Sequence, residues 1–121
     1  MYEFKINREK NRLYITMDGF FQPEEMKRCA EETIKAVNQM KPGYDVITDI
    51  SRFSPVGKVS HQEISRVQKY FGKSGIRHGV RVTGNKALIE MQFQRLGKEV
   101  GYNPTEFTTV EEAERFLDSQ S

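Results

Sequence analysis

The sequence contains little cysteine, no tryptophan and no long apolar run. Cys29 is the one cysteine among 121 residues, so no disulfide can form within the chain, which fits a reducing compartment. No stretch reaches the roughly 18 to 20 apolar residues of a membrane-spanning helix. The first ten residues, MYEFKINREK, also lack the apolar segment of a signal peptide. These absences predict a cytoplasmic protein with no transmembrane segment.

Residues that bind metals and nucleotides are also scarce. Two histidines, His61 and His78, together with one cysteine are too few for a zinc site. The string Gly72-Lys73-Ser74 fails as a phosphate-binding loop, because Val67 stands where that motif requires a glycine. The sequence therefore predicts neither a metal site nor another cofactor.

The net charge of the whole chain is small, but one segment has a large excess of positive charge. The net charge is +2, whereas residues 52–86 contain eight basic residues and one acidic residue. Arg66, Lys69 and Lys73 recur at helical spacing and therefore form one basic face. Such a face is either solvated or binds an acidic protein or an anionic membrane surface. Nucleic acid fits less well, because the total charge is small and the C-terminal third is acidic.

The pattern of apolar residues predicts the order β-β-α-β-α-β-α-β-α. Helices that alternate with strands after an initial hairpin indicate a mixed sheet of about five strands with helices packed on it. We therefore predict one α/β domain over residues 1–121, with strands at 2–7, 12–18, 44–50, 79–83 and within 105–110. The predicted helices begin at Pro23, at Ser60 as N-cap with Glu63 in a capping box, after Asn85 as N-cap, and at Glu111.

Polar residues near the end of the central strand are the first candidates for a site. Ligands of such sheets bind beyond the carboxyl ends of the strands, which here places a site at the loops after Ile50 and Thr83. Asp45 and Asp49 lie on one face of that strand. We predict that Asp45 is a solvated residue at the strand entrance, and that Asp49 accepts hydrogen bonds from the following loop or acts as an acid or base.

The loop predicted at residues 51–58 offers hydroxyl and aromatic groups. Neither Ser51 nor Ser54, nor Ser60 beyond it, lies in the Gly-x-Ser-x-Gly context of a hydrolase, so the sequence does not support nucleophilic catalysis. Phe20-Phe21 and Phe53 fall outside the regular apolar stripes. They form either an exposed contact surface or core packing at the helix entrance.

The order of elements and four strings resemble the STAS fold, the domain type of anti-sigma-factor antagonists, and within it the SpoIIAA-like branch. The strings are LYITMDGF before a long helix, VITDISRF in the central strand, HGVRVTGN before an apolar helix, and TEFTTVEEAERFL near the end. Asp49-Ile50-Ser51 matches the Asp-Leu-Ser type of ending of the family's central strand. The resemblance spans nearly the whole chain and implies a STAS-type α/β fold.

The same resemblance implies a non-catalytic binding or regulatory module. In members switched by phosphorylation, a later Asp-Ser-Ser-Gly motif carries a serine that a partner kinase modifies. Residues 57–59 of this chain are Gly-Lys-Val at those positions, so the modified serine has no direct counterpart, and Ser54 and Ser60 are the nearest hydroxyls. The SpoIIAA-like branch is associated with non-catalytic binding, and its similarity to lipid-carrying domains implies a lipid or another hydrophobic ligand.

We therefore expect a regulatory or binding module that is not an enzyme and binds a protein partner or a small hydrophobic or anionic ligand. The alternative is an anionic-lipid carrier or membrane-surface sensor that uses the basic helix face, with nucleic-acid binding a distant alternative and an enzyme that uses Asp49 a distant third. Each of these is compatible with a homo-oligomer. The residues predicted to bind the ligand or partner are Asp49, Ser51, Phe53, Ser54, Ser60, Arg66, Lys69, Lys73, Phe20 and Phe21.

Overall fold

The computed structural model describes residues 1–54 and 57–120, and within that part the side chain of residue 59 is not described. The element order is the predicted one, with one α/β domain built on a five-stranded sheet. The strands are β1 (Tyr2–Asn7), β2 (Arg12–Gly19), β3 (Tyr44–Phe53), β4 (Ile76–Val82) and β5 (Thr105–Phe107). The helices are α1 (Pro23–Val37), α2 (Lys58–Lys73), α3 (Ala87–Val100) and α4 (Val110–Asp118).

The sheet follows the order of the chain, β1-β2-β3-β4-β5. β1 and β2 form an antiparallel hairpin, in which Asn11 adopts a left-handed backbone conformation with φ of 52°. β2, β3, β4 and β5 run parallel to one another. Because parallel strands end at the same edge, the loops after β2, β3 and β4 meet at one end of the molecule, which we call the carboxyl edge.

Two apolar cores lie on opposite faces of the sheet. Side chains alternate along β3, so Val46 and Ile50 face one way and Ile47 the other. Val46 and Ile50 join the larger core, which contains residues of α1, α2 and α3. Ile47 packs with Ala113 and Leu117 of α4 in the smaller core. In the part of the chain that the structure describes, three helices thus cover one face of the sheet and one helix covers the other.

Several predicted boundaries were wrong. β3 continues three residues beyond Ile50, because Arg52 and Phe53 still pair with β2 after a register shift, so these residues are not a loop. β4 begins at Ile76, where it pairs with Tyr44. Sequence periodicity does not reveal either extension, since the partner strand supplies the hydrogen bonds.

Two predicted helix starts were also wrong. The N-cap of α2 is Gly57, so Ser60 lies within the first turn and does not form the predicted capping box with Glu63. The N-cap of α3 is Lys86, and Asn85 instead adopts a left-handed conformation with φ of 63°. Gly57 has no side chain that could cap α2, and within residues 57–120 Lys86 makes no side-chain capping hydrogen bond to α3, so neither helix start carries the usual capping signal.

Candidate functional site

The carboxyl edge is where the sequence places a site, and the structure brings the expected loops together there. The backbone N–H of Ser54 donates to the carbonyl of Gly19, at 3.0 Å, and ties the end of β3 to the end of β2. Gly84 follows β4 with φ of 62° and packs against Ser51, whose Cβ would lie 3.0 Å from a Cβ on that glycine. The ends of β2, β3 and β4 therefore form one continuous surface.

Asp49 organises this edge through hydrogen bonds to its own strand. Its Oδ1 atom accepts from the backbone N–H of Ser51 at 3.0 Å and from the Ser51 hydroxyl at 2.7 Å. These are the bonds of the expected loop-organising role. Both bonds occupy one carboxylate oxygen, and they hold the Ser51 side chain in place.

The hydroxyl groups near this edge differ in access. Ser51 and Ser54 are half-buried, whereas Ser60 is 4% exposed in the first turn of α2. A modifying enzyme has to reach the hydroxyl oxygen, so the folded chain does not present Ser60 as a site of modification. The prediction that Ser60 belongs to the binding surface was therefore wrong.

The three candidate phenylalanines separate into one surface residue and two core residues. Phe20 is 63% exposed, whereas Phe21 and Phe53 are 2% and 1% exposed. The rings of Phe21 and Phe53 pack edge to face with centroids 5.0 Å apart, and Phe93 extends the stack. Of the two alternatives, core packing therefore holds for Phe21 and Phe53 and exposure holds for Phe20. Including Phe21 and Phe53 among the binding residues was wrong, because burial in the larger core removes them from solvent.

Other apolar residues take the place of those two phenylalanines on the surface. Four large apolar side chains are exposed among the described residues: Met1, Phe20, Leu88 and Met91. Met1 lies at the carboxyl edge because β1 is antiparallel to β2, and its amino group donates to the carbonyl of Asp18 at 3.0 Å. Leu88 is in the first turn of α3 and Met91 one turn further, so the exposed apolar side chains gather toward one end of the molecule.

Sequence reasoning missed Leu88 and Met91. It followed the buried stripe of the third helix, which contains Ile89, Phe93 and Leu96. Leu88 and Met91 fall outside that stripe at a spacing of three residues. An apolar pair off the buried stripe was the signal that could have revealed them.

The basic face of α2 is weaker than its sequence suggests. Arg66, Lys69 and Lys73 are exposed, but Arg66 Nη2 lies 2.7 Å from a carboxylate oxygen of Glu63. Acidic residues also pair with the other three arginines of residues 52–86, at Arg52–Asp18, Arg77–Asp45 and Arg81–Glu106. Among the described residues, the lysines of this segment form no ion pair, whereas its arginines do.

Asp45 lies at the opposite edge of the sheet, where the prediction of a solvated carboxylate was wrong. It is 1% exposed and accepts two hydrogen bonds from Arg77, at 2.9 and 2.7 Å, while an Arg12 nitrogen lies 3.4 Å away. Arg12 also pairs with Glu114 and Asp118 of α4. These ion pairs join β2, β3, β4 and α4, so Asp45 serves the fold rather than a site.

Neighbouring groups of this ion-pair cluster have shifted pKa values. Hydrogen bonds from Lys10 and Arg12 lower the pKa of Asp118. Burial, reinforced by Glu114, raises the pKa of Tyr14 to about 12. Both shifts move the titration of these groups further from neutral pH, where Asp118 is charged and Tyr14 is neutral.

A small cavity lies in the larger core between the sheet and the helices. Its volume is about 40 Å³, and its walls are mostly apolar, with Ile15, Met26 and Phe71 among them. Three buried polar side chains also line it, Thr33, Gln68 and Arg81. Among the described residues, Gln68 Oε1 and one terminal nitrogen of Arg81 have no hydrogen-bond partner, although Arg81 pairs with Glu106 through its other terminal nitrogen at 2.8 Å.

The size of this cavity limits what it can hold. The volume exceeds the need of one water molecule, but it is far below the roughly 300 Å³ at which pockets for small organic ligands begin. An acyl chain therefore requires the helices to move apart. Within the described residues, no helix is long and apolar enough to cross a membrane.

Comparison with known proteins identifies the fold. No protein-family model matches the chain, and no curated protein sequence matches it. The NMR structure of the protein TM1081 is similar, with a TM-score of 0.67 over 99% of this chain and 90% of that chain. The two sequences are 16% identical, so the similarity shows a shared α/β architecture and nothing of function.

Proposed function

We propose that this chain is a non-catalytic binding module that docks a partner protein at the carboxyl edge of its sheet. The observation that carries this proposal is the position of the exposed apolar side chains. Met1, Phe20 and Leu88 all lie where β2 and β4 end or where β1 begins. These side chains share the carboxyl edge, with Phe20 before α1 and Leu88 in α3 on the other side of α2. Exposed apolar side chains along one edge of a domain are typical of an interaction surface.

The polar groups of the same edge support binding rather than catalysis. Asp49 Oδ1 is hydrogen-bonded to the backbone N–H and the hydroxyl of Ser51, so this carboxylate orders the end of β3. The resemblance of VITDISRF to the central strand of the SpoIIAA-like STAS branch points the same way, since that branch is associated with non-catalytic binding. Ser51 and Ser54 are the hydroxyls of this edge that a kinase could reach, because they are half-buried whereas Ser60 is buried.

The test is recovery of a partner with a Phe20 variant. The tagged chain is purified under native conditions from its own cells, together with Phe20→Ser and the control Gln39→Ser, which alters an exposed residue beyond the far end of α1. We expect one partner in fixed ratio with the wild-type chain and with Gln39→Ser, and at least a fivefold loss with Phe20→Ser. Equal recovery with all three chains would show that this edge is not the docking surface.

A second candidate function is carriage of a small hydrophobic ligand, favoured by the cavity beside Gln68 and Arg81. Its apolar wall and the two buried polar atoms that have no partner in the described part of the chain suit a ligand with an apolar body and a polar head. Native mass spectrometry of the gently purified chain tests this proposal. A reproducible adduct of lipid mass supports it, whereas a bare chain from several preparations excludes it.

The basic face of α2 favours a related function, that of a membrane-surface sensor. Flotation with anionic vesicles tests this function. Binding that falls with salt and is lost in the double variant Lys69→Glu, Lys73→Glu supports a membrane-surface sensor. Failure to float at low salt excludes it. Nucleic-acid binding has the least support, since acidic residues pair with the arginines of residues 52–86.

A further inference from the structure

α3 has a second stripe of side chains that the fold does not use. Its buried side presents Ile89, Phe93 and Leu96 to the larger core. Leu88, Met91, Arg95 and Lys98 follow one another at intervals of three, four and three residues, which places them on one face of the helix. All four are exposed, and the stripe runs about 15 Å along the axis.

A broad, shallow groove of about 670 Å³ follows this stripe. Leu88 and Met91, 56% and 65% exposed, give it an apolar half. Arg95 and Lys98 give it a cationic half, and the rest of its lining consists of amide side chains, Gln92, Gln94 and Asn103. The described residues that line this groove include no carboxylate, whereas Glu99 lines the neighbouring depression.

The positive charge of this groove contrasts with its sequence surroundings. Residues 87–121 contain three basic and seven acidic residues, and two of the three basic residues are Arg95 and Lys98. The structure gives neither of them an ion pair among the described residues. Cations that are free of intramolecular partners and stand beside exposed apolar side chains complement an occupant that is both acidic and apolar.

The position of α3 leaves this face open. α1 packs against α2, and α2 packs against α3, so α3 stands at the side of the helical layer. The face that carries Leu88 and Met91 points away from the buried stripe. Methionine adapts its shape to a partner, and an exposed Met91 suits a docking groove for that reason.

We propose that this outer face of α3 binds an acidic amphipathic helix of a partner protein. Apolar residues of that helix pack on Leu88 and Met91, and its carboxylates pair with Arg95 and Lys98. The inference rests on the proposed docking function and extends the carboxyl edge along α3. A membrane-surface helix instead carries apolar residues along its whole length, and the apolar part of this stripe ends at Met91.

Site-specific photocrosslinking in the source cells tests the proposal. A benzophenone amino acid replaces Met91 in one chain and Phe20 in another, and crosslinked peptides are identified by mass spectrometry. We expect the probe at position 91 to capture a protein segment with helical apolar spacing and net negative charge. Crosslinks to lipid, to nucleic acid, to a second copy of this chain or to a basic segment would overturn the inference.

Charge reversal supplies the second readout. The double variant Arg95→Glu, Lys98→Glu is compared with Lys69→Glu, Lys73→Glu, which makes the same change of charge on the exposed face of α2. Circular dichroism and urea unfolding check that both variants fold. We expect the crosslink at position 91 to fall about tenfold or more in the α3 variant and to persist in the α2 variant.

The two probe positions separate the inference from the proposed function. Crosslinks from position 20 without crosslinks from position 91 overturn the α3 inference and leave the carboxyl edge as the docking surface. No protein crosslink from either position contradicts both. An equal yield at position 91 after charge reversal of α3 also overturns the inference, since the cations would then not contribute to recognition.

Discussion

Gly97 marks a close approach between α3 and the segment that follows it. The chain turns back at Gly101, with φ of 78°, and the N–H of Tyr102 donates to the Gly97 carbonyl at 2.8 Å. A Cβ atom on Gly97 would lie 2.2 Å from the Tyr102 carbonyl oxygen. Alanine normally stabilises a helix interior relative to glycine by about 1 kcal/mol, but here it displaces backbone.

We therefore expect Gly97→Ala to lower the free energy of unfolding by about 1–3 kcal/mol, the usual cost of an overpacked site. Urea unfolding followed by circular dichroism measures it. Gly72→Ala is the matched control, because Gly72 lies in α2 with open space around its missing Cβ. That change is expected to leave stability equal or raise it by up to about 1 kcal/mol. Stabilisation by both substitutions would contradict the close contact at Gly97.

Asp45 is a buried residue whose charge the fold depends on. Its carboxylate is buried and compensates Arg77 and the buried Arg12. Asp45→Asn keeps the shape but removes the charge, so we expect a loss of about 3–5 kcal/mol in the free energy of unfolding. Chemical denaturation at pH 7 measures this loss.

The comparison variant for Asp45 is Arg52→Gln, which breaks a surface pair with Asp18 in which the arginine is 74% exposed. Surface pairs contribute about 0–1 kcal/mol, so a small change is expected there. If Asp45→Asn costs no more than Arg52→Gln, the ion-pair cluster does not stabilise the fold. The sequence did not reveal this role, since Arg12 and Arg77 lie 33 and 32 positions from Asp45.

At the scale of elements, α4 depends on its first turn. Thr109 Oγ1 accepts from the N–H of Glu112, and Glu112 Oε1 accepts in return from the N–H of Thr109, which completes a capping box. α4 brings Ala113 and Leu117 to the smaller core. The capping box therefore stabilises the helix that covers the smaller core.

Thr109→Ala removes the capping oxygen and should destabilise the chain by about 1 kcal/mol. Thr109→Ser keeps an acceptor at the same position and is expected to lose less than half as much. Thermal and urea unfolding of the two variants provide the measurement. An equal loss in both would mean that the methyl group, rather than the capping bond, accounts for the effect.

The elements also show why helix starts and strand ends were harder to predict than element order. The alternating residues of β1 and β2 and the stripe of α3 are local patterns, and all three elements were found. The start of α2 depends on Gly57, which offers no capping side chain. The last residues of β3 depend on pairing with β2, a neighbour some 34 residues away in sequence, as in Asp18 with Arg52.

At the scale of the whole molecule, the burial of titratable groups makes the free energy of unfolding fall at alkaline pH. Burial raises the pKa of Cys29 from its ordinary 9.0 to about 12. Below pH 9 the thiol is protonated in both states, so its contribution to stability is complete. Between pH 9 and 12 the unfolded chain releases the proton while the folded chain keeps it, and stability falls. Tyr14 acts in the same direction between pH 10 and about 12.

We expect the free energy of unfolding to fall above pH 9, with Cys29 contributing up to about 1.4 kcal/mol per pH unit. Urea unfolding at pH 7, 9, 10 and 11 measures the slope for the wild-type chain and for Cys29→Ala. The variant is expected to start lower at pH 7, because it leaves a small cavity, but to lose stability less steeply. Parallel slopes would contradict the buried, protonated thiol.

The loops after β3 and β4 were predicted to lie together, whereas the exposure of the side chains near them was not. The loops after β2, β3 and β4 do meet at the carboxyl edge, as parallel strands require. Of the aromatic residues expected there, Phe20 is exposed, while Phe21 and Phe53 are buried. Phe20 and Phe21 are adjacent and of the same residue type, so the sequence does not distinguish them. How the chain packs just before α1 decides which of the two enters the core.

The sequence by itself determined the class of fold and the order of its elements, because hydrophobic periodicity and turn residues act within a few positions of one another. Tertiary structure decided the surface and the charge pairing. Arg81 meets Glu106 across 25 positions, and Leu88 remains exposed beside the buried Ile89. Exposure and ion pairing depend on which elements lie side by side, and strand register and helix packing fix that only when the whole chain is folded.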